Sequence, residues 1–310
     1  MKPSSSSPLL YGGVEGGGTK FVCAVGTGPD DIREEIRFPT TTPEETLGYA
    51  IEFFRKHRLA AIGLSSFGPL DLDPTSPTYG CVTSTPKPGW NGINLLEPFQ
   101  RAFDLPLALE LDVNAAAFGE YTWVPEHRAL DCLVYYTIGT GIGAGIIVNG
   151  QILHGLTHPE AGHVRLPHDW AADPFPGICP FHGDCFEGLA SGPALAARWG
   201  QPGDNLPDEH PAWGLESGYI AAALVNTILT LSPRRIILGG GVMQRVHLFP
   251  LIRQKVKELL NDYLTAPTFA GDLRNYIVPP ALGNRSGVLG AIALAAHAFN
   301  SLPSRPVPDQ

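Results

Sequence analysis

The sequence predicts an α/β protein of two domains, and three observations carry that expectation. With 310 residues and 44% hydrophobic content, the chain is long enough for two ordinary cores. Short apolar runs that end in glycine or proline alternate with longer helical patterns, as strands feeding helices do. The opening pattern then starts over: a glycine-tipped hairpin carrying Thr stands near residue 15 and again near residue 140. Such a repeat suggests duplicated domains facing each other across a cleft.

In chain order, Leu9 to Val14 reads as a strand, Glu15-Gly16-Gly17-Gly18-Thr19 as a tight turn and Lys20 to Val25 as the returning strand. Glycines there let phosphates approach bare backbone N–H groups, with Thr19 and Lys20 adding a hydroxyl and a cation. A purely structural turn is the alternative. The spacing is not that of a Walker loop, which needs a following helix. Thr42-Pro43-Glu44-Glu45 marks a helix start, with Thr42 as N-cap, and the helix runs to about His57. Ala60 to Ser65 is a buried strand whose exit, Ser66-Phe67-Gly68-Pro69, lies at the edge where α/β proteins bind ligands. The Pro- and Thr-dense loop from Asp71 ends in Pro88-Gly89-Trp90-Asn91, where Trp90 is a packing residue or a site neighbour and Asn91 a partner for sugar hydroxyls.

Leu107 to Leu111 is a strand, and Asp112 opens the helix after it. Asp112 is either an N-cap or a carboxylate placed to take the proton of a hydroxyl that attacks a phosphoryl group. Leu133 to Thr137, Gly139-Thr140-Gly141-Ile142-Gly143 and Ala144 to Val148 form the second hairpin; because a strand follows the glycines, a dinucleotide-binding fold is disfavoured. Further on come a helix to about Trp199, a polar excursion from Gln201 to Pro211, a long apolar helix from Tyr219 to Leu231 and a strand from Arg235 to Leu238. That strand ends in Gly239-Gly240-Gly241, which suits a nucleotide or a bare strand-to-helix turn. An amphipathic helix from Leu251 to Leu264, a short strand at Ile277-Val278 and an Ala-rich helix from Gly287 to Phe299 complete the pattern.

The stretch from Glu160 to Glu187 has the densest chemistry. Cys179, His182 and Cys185 sit at C-x2-H-x2-C spacing and His163 supplies a fourth ligand, a filled tetrahedral zinc site with no position left for water. Such an ion is architectural, and it fixes Glu160 and Glu187, two carboxylates suited to a polyhydroxylated ligand. Buried free cysteines among loop histidines are the bland alternative.

Composition narrows the partners. A net charge of −9, with no dense Lys/Arg run, argues against nucleic acid or an anionic membrane. Five cysteines without a small-scaffold framework predict reduced thiols and a cytosolic protein. Met1 to Pro8 reads as a Ser-rich tail rather than a signal peptide, and no stretch is expected to reach the length of a membrane span.

Taken together, Glu15-Gly-Gly-Gly-Thr19-Lys20, Pro88-Gly-Trp-Asn91, Asp112-Val-Asn114, Thr137-Ile-Gly139-Thr-Gly141-Ile-Gly143, Glu160-Ala-Gly-His163, Cys179-x2-His182-x2-Cys185-x-Glu187 and Leu238-Gly-Gly-Gly241 resemble the ROK family of sugar kinases, above all its bacterial fructokinase branch. The resemblance implies an actin-like ATPase (ribonuclease H-like) fold: a small α/β domain over 1–118 with a C-terminal helix, 287–300, crossing back onto it, a large α/β domain over 119–286 carrying the zinc loop 160–187, and a tail at 301–310. It implies ATP-dependent phosphorylation of a hexose 6-hydroxyl, fructose first and glucose or mannose as alternatives. Asp112 would be the base, with Glu160, His163 and Glu187 at the sugar. Gly16, Gly17, Gly18, Thr19, Lys20, Thr140 and Gly141 would hold the ATP phosphates, Gly239, Gly240 and Gly241 would lie near the adenosine, and Mg2+ would bridge the phosphates. Relatives suggest a homodimer. Two departures stand out: Glu15 where many relatives carry Asp, and His182 in place of a thiolate. A repressor of the same family is disfavoured because the first hairpin leaves no room for a DNA-binding winged helix ahead of it; a non-catalytic sugar-binding module is the remaining alternative.

Overall fold

In the computed structural model, which describes residues 9–302, the first strand β1 (Leu10–Gly16) pairs antiparallel with β2 (Lys20–Gly28), and β2 with β3 (Asp31–Pro39). On its other side β1 pairs parallel with β4 (Leu59–Ser66), and β4 with β5 (Leu107–Leu111), giving the order β3-β2-β1-β4-β5. The expectations for Met1 to Pro8 and for the tail beyond Leu302 lie outside the described residues. Helices α1 (Pro43–Arg55), α2 (Leu96–Ala102) and α3 (Asp112–Trp123) belong to the same unit. Thr42 caps α1 as its sequence signature requires, its hydroxyl accepting the Glu45 N–H at 3.4 Å.

The second unit repeats the plan. Strands β6 (Cys132–Ile138), β7 (Ile142–Val148), β8 (Gln151–Ile152), β9 (Arg235–Gly239) and β10 (Ile277–Val278) are ordered β10-β9-β6-β7-β8. Hairpin β6/β7 is antiparallel, while β6/β9 and β9/β10 are parallel, strand for strand as in the first unit. Its helices are α4 (Phe186–Ala190), α5 (Gly192–Trp199), α6 (Ala212–Leu231), α7 (Leu248–Leu260) and a single turn, Pro267–Ala270. Ile220, Leu224 and Ile228 of α6 pack with Val134, Tyr136, Ile236 and Leu238 of the sheet in one core.

Several boundaries depart from the sequence expectation. The edge strand β3 was not anticipated, because Arg33, Glu34, Glu35 and Arg37 leave it no apolar run; charge on an edge strand discourages pairing with other chains. Helix α6 begins at Ala212, seven residues before Tyr219, and at 20 residues it reaches the length and apolarity of a membrane span, contrary to expectation. Burial in the unit's core accounts for its apolar surface. Helix α7 runs over 248–260 instead of 251–264. The units divide as residues up to Pro125 with those from Arg285, against Glu126–Asn284. A boundary at 118/119 would cut α3 in mid-helix, where Gly119 packs on the closing helix, Ser286–Asn300.

That closing helix joins the first unit through backbone-to-backbone approach. A Cβ on Gly290 would come within 1.9 Å of the Ala115 carbonyl oxygen of α3, and one on Gly63 of β4 within 1.9 Å of the Ala291 carbonyl oxygen. Gly290→Ala is therefore expected to lower stability by about 1–3 kcal/mol through overpacking. Gly48→Ala in α1, where an added Cβ meets nothing within 4 Å, should leave it unchanged or slightly raised. Urea unfolding midpoints of the two variants check the contrast.

Candidate functional site

Register sets the first group of residues. Gly16 of β1 pairs with Ser66 of β4, and Ser66 with Leu111 of β5, so three strands end level along one edge. Asp112 is the next residue, about two strand spacings or ~10 Å from the glycine turn. It is the first residue of α3, whose N-cap is Leu111, and its Oδ1 accepts the Val113 N–H at 2.7 Å. Glu110 holds this junction by accepting from Leu111 N and Asn114 Nδ2 at 2.8 and 2.9 Å.

The glycine turn is shorter than the sequence suggested, because β1 continues through Glu15 and Gly16. The carboxylate of Glu15 accepts the Val288 N–H at the start of the closing helix, and Gly287 leaves it room, a Cβ there falling 2.4 Å from Glu15 Cδ. Burial raises the Glu15 pKa, against the opposing pull of Lys20 and that N–H. Gly17 N–H closes on the Lys20 carbonyl at 2.9 Å, while Gly18, Thr19 and Lys20 are exposed. Lys87 was not singled out from sequence, yet its Nζ donates to the Gly18 carbonyl at 2.6 Å and to the Thr40 carbonyl at 3.4 Å. Nothing about a lysine between two prolines announces a partner 69 residues away. Trp90 is wholly buried against Phe21 and Phe67, with Nε1 donating to the Thr41 carbonyl, so packing is its role; Asn91 beside it is exposed.

In the second unit, Thr137 pairs with both Gly143 and Gly239, which levels the turn at 139–141 with the exit of β9. Thr140 and Gly241 are exposed there, and Gly240 takes φ of +92°, a left-handed conformation that favours glycine. The start of α5 joins them: Gly192 N–H donates to the Gly139 carbonyl at 2.8 Å. Sequence reading missed this third strand of backbone.

His163, Cys179, His182 and Cys185 come together with their ligand atoms all within 4.8 Å of one another. Nδ1 of His163 lies 3.7 Å from Cys179 Sγ and 3.5 Å from Cys185 Sγ, and His182 Nδ1 lies 3.5 Å from Cys179 Sγ. A tetrahedral ion with bonds averaging about 2.2 Å needs ligand edges of about 3.6 Å, so this donor set fits a metal ion. Burial, with the Cys179 thiol beside it, pushes the Cys185 thiol up to about 11; a metal must displace that proton. Backbone pairing builds the knuckle: Cys179 and Gly183 exchange two hydrogen bonds, and Phe186 N–H donates to the Val164 carbonyl at 2.9 Å. The intervening loop is braced by His168, set between Asp184 Oδ2 at 3.2 Å and the Asp173 carbonyl at 2.9 Å, while Asp173 itself takes Arg198 and the Tyr219 hydroxyl.

The two carboxylates flanking the knuckle differ. Glu160 is exposed, with Oε1 3.1 Å from His158 Nδ1. Glu187 is half-buried on α4, and its Oε2 accepts the Ile142 N–H of the second glycine turn at 2.9 Å. One oxygen of this expected sugar ligand is thus already engaged.

Residues 11–298 match the family model described as the ROK family. A fructokinase of Lactococcus lactis subsp. cremoris is 45% identical over 94% of this chain and 98% of its own. A fructokinase of Streptococcus mutans serotype c is likewise 45% identical, over 92% of this chain and 97% of its own. Among solved structures, a ROK family glucokinase from Streptomyces griseus in complex with glucose and AMPPNP has a TM-score of 0.71 at 25% identity, covering 93% of this chain and 99% of that one.

If the four-ligand cluster holds an ion, Cys179→Ser breaks it. The variant is expected to lose the bound metal on elemental analysis and to melt at lower temperature than the parent protein. Metal-free parent protein with an unchanged melting temperature is the opposing result.

Proposed function

The chain belongs to the ROK family, and from that membership and its actin-like ATPase fold we infer that it is an ATP-dependent fructokinase, transferring the γ-phosphoryl group to the 6-hydroxyl of D-fructose. Asp112 is the base: as the hydroxyl oxygen forms its bond to the γ-phosphorus, the carboxylate takes the proton and ADP departs with the electron pair of the broken P–O bond. The observation that carries this chemistry is the level row of strand ends, Gly16, Ser66 and Leu111, which sets Asp112 on the same edge as a glycine turn open to phosphates.

Asn91, Glu160, His163 and Glu187 are assigned to the sugar hydroxyls. His163 suits a double role, because Nδ1 faces the thiols while Nε2 remains to meet a hydroxyl. Gly16, Gly17, Gly18, Thr19, Lys20, Thr140 and Gly141 are assigned to the phosphates and Gly239, Gly240 and Gly241 to the adenosine. Lys87 adds a second cation at the first turn, where a phosphoryl oxygen outcompetes the neutral Gly18 carbonyl it now holds. Bound Mg2+ would neutralise charge on the β- and γ-phosphates. We assign the four-ligand cluster to a structural Zn2+ held by His163, Cys179, His182 and Cys185, and extend the reading to a homodimer in the cytoplasm.

The test is a sugar panel with ATP and Mg2+, scored by ADP release. Fructose is expected to give the highest kcat/KM. Preference for glucose or mannose would move the assignment to those sugars, which the glucose-bound relative makes the natural alternative; no ADP with any sugar would leave a binding protein. Asp112→Asn should reduce kcat by about 10²–10⁴ while sugar and nucleotide still bind. Lys87→Met should raise KM for ATP about tenfold with a smaller effect on kcat, the loss of one charged hydrogen bond.

A further inference from the structure

The metal-ligand loops and the second glycine turn meet at one residue, Ile142. From one side the short turn carrying His163 presses on it: a Cβ on Gly162 would come within 1.8 Å of the Ile142 carbonyl oxygen. From the other side Glu187 takes the Ile142 N–H at 2.9 Å, and Gly141 lacks a side chain where a Cβ would lie 2.8 Å from that same carboxylate oxygen. Glu187 is the second residue of α4, whose N-cap is Cys185. Its own carbonyl accepts the Ser191 N–H at 3.1 Å, and Gly192 next door donates to Gly139. The turn at 139–142 is therefore held at its 142 end by the elements that carry the metal ligands, and at its 139 end by the start of α5, which follows α4 directly.

We propose that Glu187 is a positioning residue for the nucleoside triphosphate, locking the 139–142 turn in its phosphate-accepting shape and making nucleotide affinity depend on the metal cluster. The inference rests on the kinase reading above and adds to the sugar contact assigned there to Glu187. Its charge is not what the turn needs. A carboxylate beside a phosphate site repels the ligand, so the useful property is an acceptor fixed on the Ile142 N–H, which a glutamine carbonyl also offers.

The experiment is calorimetric titration of metal-loaded protein with a non-hydrolysable ATP analogue and Mg2+, in the absence of sugar. Glu187→Gln is expected to bind within about threefold of the parent protein and Glu187→Ala about tenfold or more weakly, as loss of a hydrogen bond to an ionised group implies. Glu187→Met, which removes the acceptor but keeps the length of the side chain on α4, should also weaken binding about tenfold if Glu187→Ala proves unstable. Stripping the metal with a chelator should weaken the parent protein and add little to the loss in Glu187→Ala. The proposal is overturned if folded Glu187→Ala binds the analogue as the parent does, or if metal removal weakens both proteins equally. Failure of the metal-loaded parent protein to bind the analogue at all would instead overturn the kinase reading on which the proposal stands.

Discussion

Each half of the chain depends on the same constraint: its first strand must pair antiparallel with a hairpin partner on one side and parallel with a later strand on the other. The ladder leaves few choices. Strand β1 satisfies its backbone groups against β2 and β4, and β6 against β7 and β9. Because a parallel partner returns to the same starting edge, the ends of β1, β4 and β5 fall together, and so do the hairpin tip of β6/β7 and the exit of β9. Residues separated by almost a hundred positions thereby become neighbours along one edge of each sheet.

Between β8 and α4 the second unit has only one short 3-10 turn, so that stretch has few ladder bonds to hold it. Side chains and a candidate ion take over. Two thiols and two imidazoles at tetrahedral spacing tie the turn at 161–163 to the knuckle at 179–185, and His168, Asp173, Asp184, Arg198 and Tyr219 bind the loop to α5 and α6. A segment with few ladder bonds gains most from an ion that crosslinks it. Its carboxylates then have fixed positions, one facing solvent and one reaching Ile142.

The first unit solves its own closure with glycine. The closing helix lies against α3 and the sheet at distances that Gly290 and Gly63 permit and no larger residue does. At the same helix start, the longer side chain of Glu15 reaches the Val288 N–H, which ties the first glycine hairpin to the last helix of the chain. An aspartate would be a methylene shorter.

What the sequence determined by itself was everything that depends on local chemistry or on short spacing. The cap at Thr42, the strands flanked by glycine, each of the two hairpins and the grouping of Cys179, His182 and Cys185 were all legible, because each is decided by residues a few positions apart. Helix ends drifted where packing, not propensity, ends a helix, as at Ala212, and the charged strand β3 carried no apolar signal to read. Only the tertiary structure decided that Lys87 reaches Gly18, that Trp90 is core, that Glu15 meets the closing helix and that Glu187 holds Ile142. Each of those contacts joins segments distant along the chain, and sequence spacing has no term for a distance that strand register and helix packing set in space.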